Sequence, residues 1–304
     1  MNNNNSILIV GSVAMDSIET PFGKRESILG GSATYSSISA SFFSKYINIV
    51  SVVGKDFPKK YIGLFRSRKI NIDGLQIREG QTFRWKGDYN YDLNLPKTIY
   101  TYLNVFGSFK PVIPDYYKGS KYIFLANIDP DLQKEVLSQI KRPEIIICDT
   151  MNYWIDKKRG PILKLVKNID IFLVNESEAR QLSGETNMKK AANFIMSHGA
   201  PCVVIKKGEH GVLFFSKRFC FYAPAYLLET IKDPTGAGDA FAGGMIGYLS
   251  SVKIINKEHI RKSMIYGSIM ASFTVEDFSV KRLLKLSMRD INTRYNEFKR
   301  ITSF

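Results

Sequence analysis

The sequence predicts an α/β fold, with a mostly parallel central sheet covered by helices on both faces and a small β-sheet lid set apart from it. Three observations predict this. Short apolar runs alternate with segments of helical spacing over most of the chain, the pattern of strands joined by crossover helices. Between about 71 and 110 that rhythm gives way to alternating aromatic and polar residues, which argues for half-buried strands. Later a run of small residues, Asp233-Pro234-Thr235-Gly236-Ala237-Gly238-Asp239, leads directly into a helix-compatible stretch reaching Leu249.

Taken in order, Ser6–Val10 is an apolar run closed by Gly11 and reads as a buried strand. Gly30-Gly31 opens a small-residue segment from Ser32 to Ser44, with Tyr35, Ile38, Phe42 and Phe43 at near-helical spacing. Ile47–Val53 is the next strand, and residues 57–70 read as a helix with Tyr61, Leu64 and Phe65 on one face. The lid is expected from parts of 12–25 and 71–110. There Phe83, Trp85, Tyr89, Tyr91, Tyr100, Tyr102 and Val105 either pack the lid or line a ligand pocket. Strands then follow at Tyr122–Ala126, Glu144–Cys148, Ile171–Val174 and Cys202–Lys206. Helices are expected between them at Leu132–Ile140, Ile162–Lys167, Glu176–Leu182 and Lys189–Ser197. Residues 1–304 are expected to form a single domain, the lid being built from discontinuous segments. Ligands of such sheets sit beyond the carboxyl ends of the strands, so the loops that follow strands are where function is expected.

Composition excludes several classes. A chain of 304 residues buries a sizeable core without disulfide or metal staples. Its 44% hydrophobic and 23% charged residues are those of a globular protein and not of a disordered one. Cys148, Cys202 and Cys220 form no Cys-x-x-Cys pair, so neither a disulfide framework nor a zinc site is expected, and a reducing cytoplasm fits. His198, His210 and His259 lack metal-ligand spacing. The beginning of the chain does not follow a signal-peptide pattern, and no run reaches the roughly 18 apolar residues of a membrane span. The net charge is +15, but apart from short clusters such as Lys157-Lys158-Arg159 the lysines are dispersed, so no specific nucleic-acid role is expected. The positive field would instead attract a small anionic ligand.

The Asp233–Gly244 segment carries the chemistry. Consecutive N–H groups at a helix start form an anion site, and glycines let that backbone approach an oxygen anion closely. Asp239 lies inside this site. A carboxylate there either accepts a proton from an attacking hydroxyl or merely caps the helix.

Asp-Pro-Thr-Gly-Ala-Gly-Asp is similar to the C-terminal signature of the ribokinase/PfkB carbohydrate kinases, and further motifs follow in family order from about Ile7 to about Phe278. The resemblance implies a three-layer ribokinase-like α/β/α fold and an ATP-dependent, Mg²⁺-assisted transfer of phosphate to a hydroxyl. It implies that Gly236, Ala237 and Gly238 build an anion hole and that Asp239 is the base. Asp16, after Gly11, resembles the acidic residue set against substrate hydroxyls, with a solvated turn residue as the alternative. Gly30-Gly31 resembles the diglycine that lets backbone approach the substrate. Tyr35 stands where an asparagine is common in the family, which changes the expected hydroxyl pattern of the substrate.

Asn175-Glu176-Ser177-Glu178 resembles the family's Asn-x-x-Glu motif. Asn175 would then lie in the ATP region and Glu178 would hold Mg²⁺ through water; a helix cap is the plain reading, and the two are compatible. Lys206, Gly208 and Gly211 resemble the nucleotide-side turn, and Asp149-Thr150-Met151-Asn152 a loop beside the phosphates. Gly267–Ser272 is expected near the adenine. The resemblance also allows a monovalent cation near Asp233 and a homodimer formed through the lid. A free sugar, a nucleoside and a sugar phosphate compete as substrate. Arg84 is the candidate for binding a substrate phosphate, and Phe83, Trp85, Tyr89 and Tyr35 for stacking on a base. A non-catalytic binding protein on the same fold is the rival from another class.

Overall fold

Strand β1, Ile7–Val10, is buried on both faces: Ile7 and Ile9 join one core cluster, Leu8 and Val10 the other. That is how a central strand of a doubly covered sheet must look, because side chains alternate between faces. The computed structural model describes residues 5–93 and 96–303. Residues 2–4 of the asparagine tract and residues 94–95 within the expected lid range lie outside the described residues.

The chain continues through β2 (Ala14–Thr20), β3 (Gly23–Gly30), α1 (Ser32–Ala40), β4 (Ile47–Gly54), α2 (Lys59–Ser67), β5 (Ile70–Arg78), β6 (Phe83–Asp88) and β7 (Lys97–Tyr102). Then come β8 (Tyr122–Leu125), α3 (Pro130–Gln139), β9 (Ile145–Asp149), α4 (Asn152–Leu165), β10 (Ile171–Asn175), α5 (Glu176–Ser183) and α6 (Met188–Ser197). The last part holds β11 (Cys202–Lys206), β12 (Val212–Ser216), β13 (Cys220–Ala223), α7 (Ala237–Ser251), α8 (Lys257–Thr274), α9 (Lys281–Leu284) and α10 (Met288–Thr302). The large sheet has the order β13-β12-β11-β10-β9-β8-β1-β4-β5. From β5 to β11 every pairing is parallel, and β12 and β13 extend the sheet antiparallel.

One core lies between this sheet and α1, α2, α7, α8 and α10; the other lies under α3 to α6. These are the three layers the resemblance implied. Helix α7 is buried nearly all round because it is wedged between α1 and α8. A Cβ on Gly243 would come within 2.2 Å of the Ser36 carbonyl, so the backbones of α1 and α7 meet directly.

A second sheet, in the order β3-β2-β6-β7, stands apart. Its extent differs from the expected 12–25 and 71–110. β5 pairs in parallel with β4 and forms the edge of the large sheet, and β3 runs on to Gly30. Val105 and Phe109 pack into the core of the large sheet. Alternation identified half-buried strands there, but an edge strand of either sheet gives the same pattern. Helix α4 also begins at Asn152, well before the expected Ile162, because Lys158 (φ −139°, ψ 38°) and Pro161 interrupt its periodicity.

Candidate active site

The Asp233–Asp239 turn is held from within. Asp233 is fully buried; its Oδ1 accepts from the Thr235 N–H at 2.9 Å and its Oδ2 from the Ser279 N–H at 3.2 Å. Gly236 caps α7 in the left-handed region, at φ 77°, which only glycine adopts at no steric cost. The helix start leaves its first N–H groups without partners inside the helix. Lys206 Nζ stands 3.2 Å from where a Cβ on Gly238 would lie.

Lys206 ends β11 and donates to Asp149 Oδ2, at the end of β9, over 2.7 Å. Glu178 is buried in the first turn of α5. It accepts from the Asn175 N–H at 2.7 Å, and its own N–H donates to Asn175 Oδ1 at 2.8 Å. The capping reading of the Asn-x-x-Glu motif is therefore correct, and it fixes Glu178 beside the charged cluster.

Three carboxyl groups, Asp149, Glu178 and Asp239, thus surround one ammonium. Burial, then Asp149, push Asp239 up to about 7, against the pull of Lys206. Asp239 keeps some accessible surface, yet the protein packed around it makes desolvation the largest cause. Glu178 is pushed up to about 8 by burial and Asp149, again opposed by Lys206. Burial pulls the Lys206 ammonium down, but Asp149, Glu178 and Asp239 together outweigh it and hold it above its ordinary value. Carboxyls tuned toward neutrality in a strand-end cleft mark a functional site.

Asp16, on β2, is buried and is raised to about 8 by burial and by Asp233, while the Gly31 N–H holds it down. A Cβ on Gly30 would lie 1.8 Å from Asp16 Oδ2, so the diglycine leaves room for this carboxyl. Tyr35 is 1% exposed, and its hydroxyl has no hydrogen-bond partner among the described residues. Its ring lies against Gly236, behind the Asp233–Asp239 turn. From the small sheet, Tyr89 reaches the same turn, its hydroxyl 3.1 Å from Thr235 Oγ1. Arg84 is held by Asp56 and Ser27, each at 3.0 Å.

Beside the turn opens a cavity of about 920 Å³, lined by Lys206, Gly208, Gly211, Gly238, Phe241 and Ser268 among others. Its size is that of a small-molecule site. Asn175, Asp239 and Asp16 do not line it. Tyr226, Leu228 and Ile231 also line it; sequence reading missed them because they come from an irregular stretch without periodicity. Asp149 was noticed only as part of a loop. An aspartate ending an apolar strand was the available signal, but its partner, Lys206, is far away in sequence. Among the described residues, no group of three or more His, Cys, Asp or Glu side chains could hold a metal ion.

The family pattern described as pfkB family carbohydrate kinase matches residues 4–285. The chain is similar to a cytidine kinase of Thermococcus kodakarensis, with 31% identity over 247 residues, 80% of this chain and 88% of the relative. Among solved structures, it resembles a Burkholderia thailandensis nucleoside kinase in complex with inosine at a TM-score of 0.79 and 18% identity, covering 96% of this chain and 97% of the other. It also resembles a candidate ribokinase II of E. coli in complex with ATP and Mg²⁺ at a TM-score of 0.78 and 17% identity, covering 96% and 99%. With its signature turn, its three layers and its separate small sheet, the chain belongs to the pfkB family of carbohydrate kinases.

Proposed function

We propose that this kinase transfers the γ-phosphoryl group of ATP to a hydroxyl of a nucleoside or small sugar. The observation that carries the reading is Asp239, raised to about 7 at the start of α7 beside Lys206. Asp239 takes the proton of the attacking hydroxyl while the oxygen of that hydroxyl forms the bond to the γ-phosphorus and the bond from that phosphorus to ADP breaks. The N–H groups of the Gly236–Gly238 turn, with Lys206, hold the charge that spreads over the moving group. Asp16 orients the acceptor through its hydroxyls, and Gly30-Gly31 gives it room.

ATP would occupy the cavity bounded by Gly208 and Gly211. The donor set suits a Mg²⁺ ion that arrives on the phosphates and keeps most of its waters, with Glu178 holding it through water beside Asn175. When bound, the ion neutralises phosphate charge. A monovalent cation beside Asp233 would offset a buried carboxyl that burial has pushed up to about 6; activity equal in potassium and in choline buffers would remove it from the mechanism. The small sheet would act as a lid, closing over the acceptor and excluding water. Two copies could pair through its edge strands, and a monomer in sedimentation at micromolar protein would eliminate that arrangement. Because Arg84 is already tied to Asp56 and Ser27, a sugar phosphate is disfavoured as acceptor. Among the described residues, no helix is long and apolar enough to cross a membrane.

The test is ADP release from Mg-ATP with cytidine, inosine, ribose, fructose and their phosphates, run beside Asp239→Asn. One acceptor stimulating the wild type, with the variant down by roughly 10²–10⁴-fold, supports the reading. Tight ATP binding with no stimulation by any acceptor removes it.

A further inference from the structure

The small sheet turns one face to the signature turn, and its two ends are marked. Asp16 on β2 feels the charges of Asp233 and Asp239, and Tyr89, just past β6, bonds to Thr235. Between them, in register, lies an aromatic side chain. Trp85 pairs directly with Asp16 in the parallel β2–β6 ladder. Directly paired residues project from the same face, so Asp16 and Trp85 leave neighbouring strands on one side, their backbones roughly 4.8 Å apart. Tyr89 follows Trp85 at an even interval along the chain and leaves on that side too.

The indole is laid down in a fixed position. A Cβ on Gly87 would fall 2.0 Å from Trp85 Cη2, so the ring lies over Gly87, in the space a side chain there would take. Its Nε1 donates to Thr98 Oγ1 at 3.3 Å across the β6–β7 pair. It packs against the cluster of Ile18, Tyr89 and Phe278 but is only half-buried. Every polar group of the side chain is thus satisfied inside the sheet, while apolar ring surface remains free. A flat, pinned, partly exposed aromatic on the same sheet face as a hydroxyl-binding carboxylate, displaced along β6 toward Gly87, suits a ligand with a hydroxylated part and a separate planar part.

We propose that Trp85 is the stacking platform for the planar base of the acceptor, and that it selects a nucleoside over a free sugar whose ribose hydroxyls meet Asp16. This deepens the proposed function and rests on it for the position of the ribose. Trp85 contributes binding and choice of substrate, with no part in proton transfer.

The test compares cytidine and ribose as acceptors for the wild type, Trp85→Ala, Trp85→Phe and Gly87→Ala. Base–aromatic stacking is worth on the order of tenfold or more in affinity. Trp85→Ala should therefore raise the KM for cytidine at least about tenfold, leaving kcat and the weaker use of ribose little changed, and Trp85→Phe should recover most of the loss. Gly87→Ala keeps the indole but displaces it, and should reproduce the cytidine defect. A direct readout uses Trp154→Phe, which leaves Trp85 as the single tryptophan; cytidine should quench its fluorescence saturably and ribose should not. Equal effects on cytidine and ribose, or none on either, overturn the proposal. Turnover of ribose but of no nucleoside overturns it while leaving the kinase reading intact. Saturable quenching by cytidine without any turnover supports the platform and removes the kinase reading instead.

Discussion

The ring of Tyr35 lies so close to Gly236 that a Cβ added to the glycine would stand 2.4 Å from two of its carbons. The left-handed cap of α7 is thus constrained twice, by its φ of 77° and by the aromatic behind it. Gly236→Ala should fold with lowered stability and, with the proposed anion hole, lose roughly 10²-fold in kcat, since the N–H groups of the turn are displaced. Thermal unfolding and steady-state ADP release measure the two effects. Tyr35→Phe should instead raise the unfolding temperature by about 2 °C or more, because it removes a buried hydroxyl without a partner. A fall in that temperature would mean the hydroxyl is bonded in solution.

The acidic limb of kcat/KM should lie near Asp239. As the proposed base it works only when ionised, and burial with Asp149 has pushed it up to about 7. The rate should climb about tenfold per pH unit below that point and flatten above it. A limb near pH 4 would show that Asp239 is not so displaced.

Stability should respond to the same carboxyl in the opposite sense. A folded-state value raised from 3.8 to about 7 means the native protein binds this proton more tightly than the unfolded chain. Its contribution to stability is present at low pH and is lost as pH rises through that window. Asp239→Asn should accordingly be more stable than the wild type by roughly 2 kcal/mol at pH 8, with the gap narrowing toward pH 5. Denaturant melts at the two pH values measure it.

Lys206 holds the surrounding carboxyls in one place. Lys206→Met leaves buried Asp149 without its cation and should cost about 3 kcal/mol or more, the loss growing as pH rises. The KM for ATP should increase by more than about tenfold. Adding Asp149→Asn should restore much of the stability and none of the ATP binding. Full recovery of both would remove Lys206 from the nucleotide site.

Much of this was legible in the sequence, and for identifiable reasons. β1, β4 and β8 to β11 are apolar runs ended by turn or polar residues, and the string from Asp233 to Gly244 is too specific to arise from helix capping alone. The misplaced parts involve relations that local pattern does not encode. Half-buried β5 resembles a lid strand until its partner is known. Lys206 reads from sequence as part of a nucleotide-side turn, and only the adjacency of β9, β10 and β11 brings it to Asp149 and Glu178. Tyr35 stood out as a departure from an asparagine, but its seat behind Gly236 depends on the packing of α1 against α7.

That α1–α7 contact also bears on how the chain is made. Until the ribosome has passed Ser251, α1 and α2 are the helices available to cover one entire face of the growing sheet, although its parallel strands are by then complete. The nascent chain therefore exposes apolar surface for most of its synthesis, the kind of surface on which chaperones and aggregation compete. Substitutions that thicken α7 at Gly243, where it meets Ser36, should show first as a lower yield of soluble protein, before any defect in the purified enzyme.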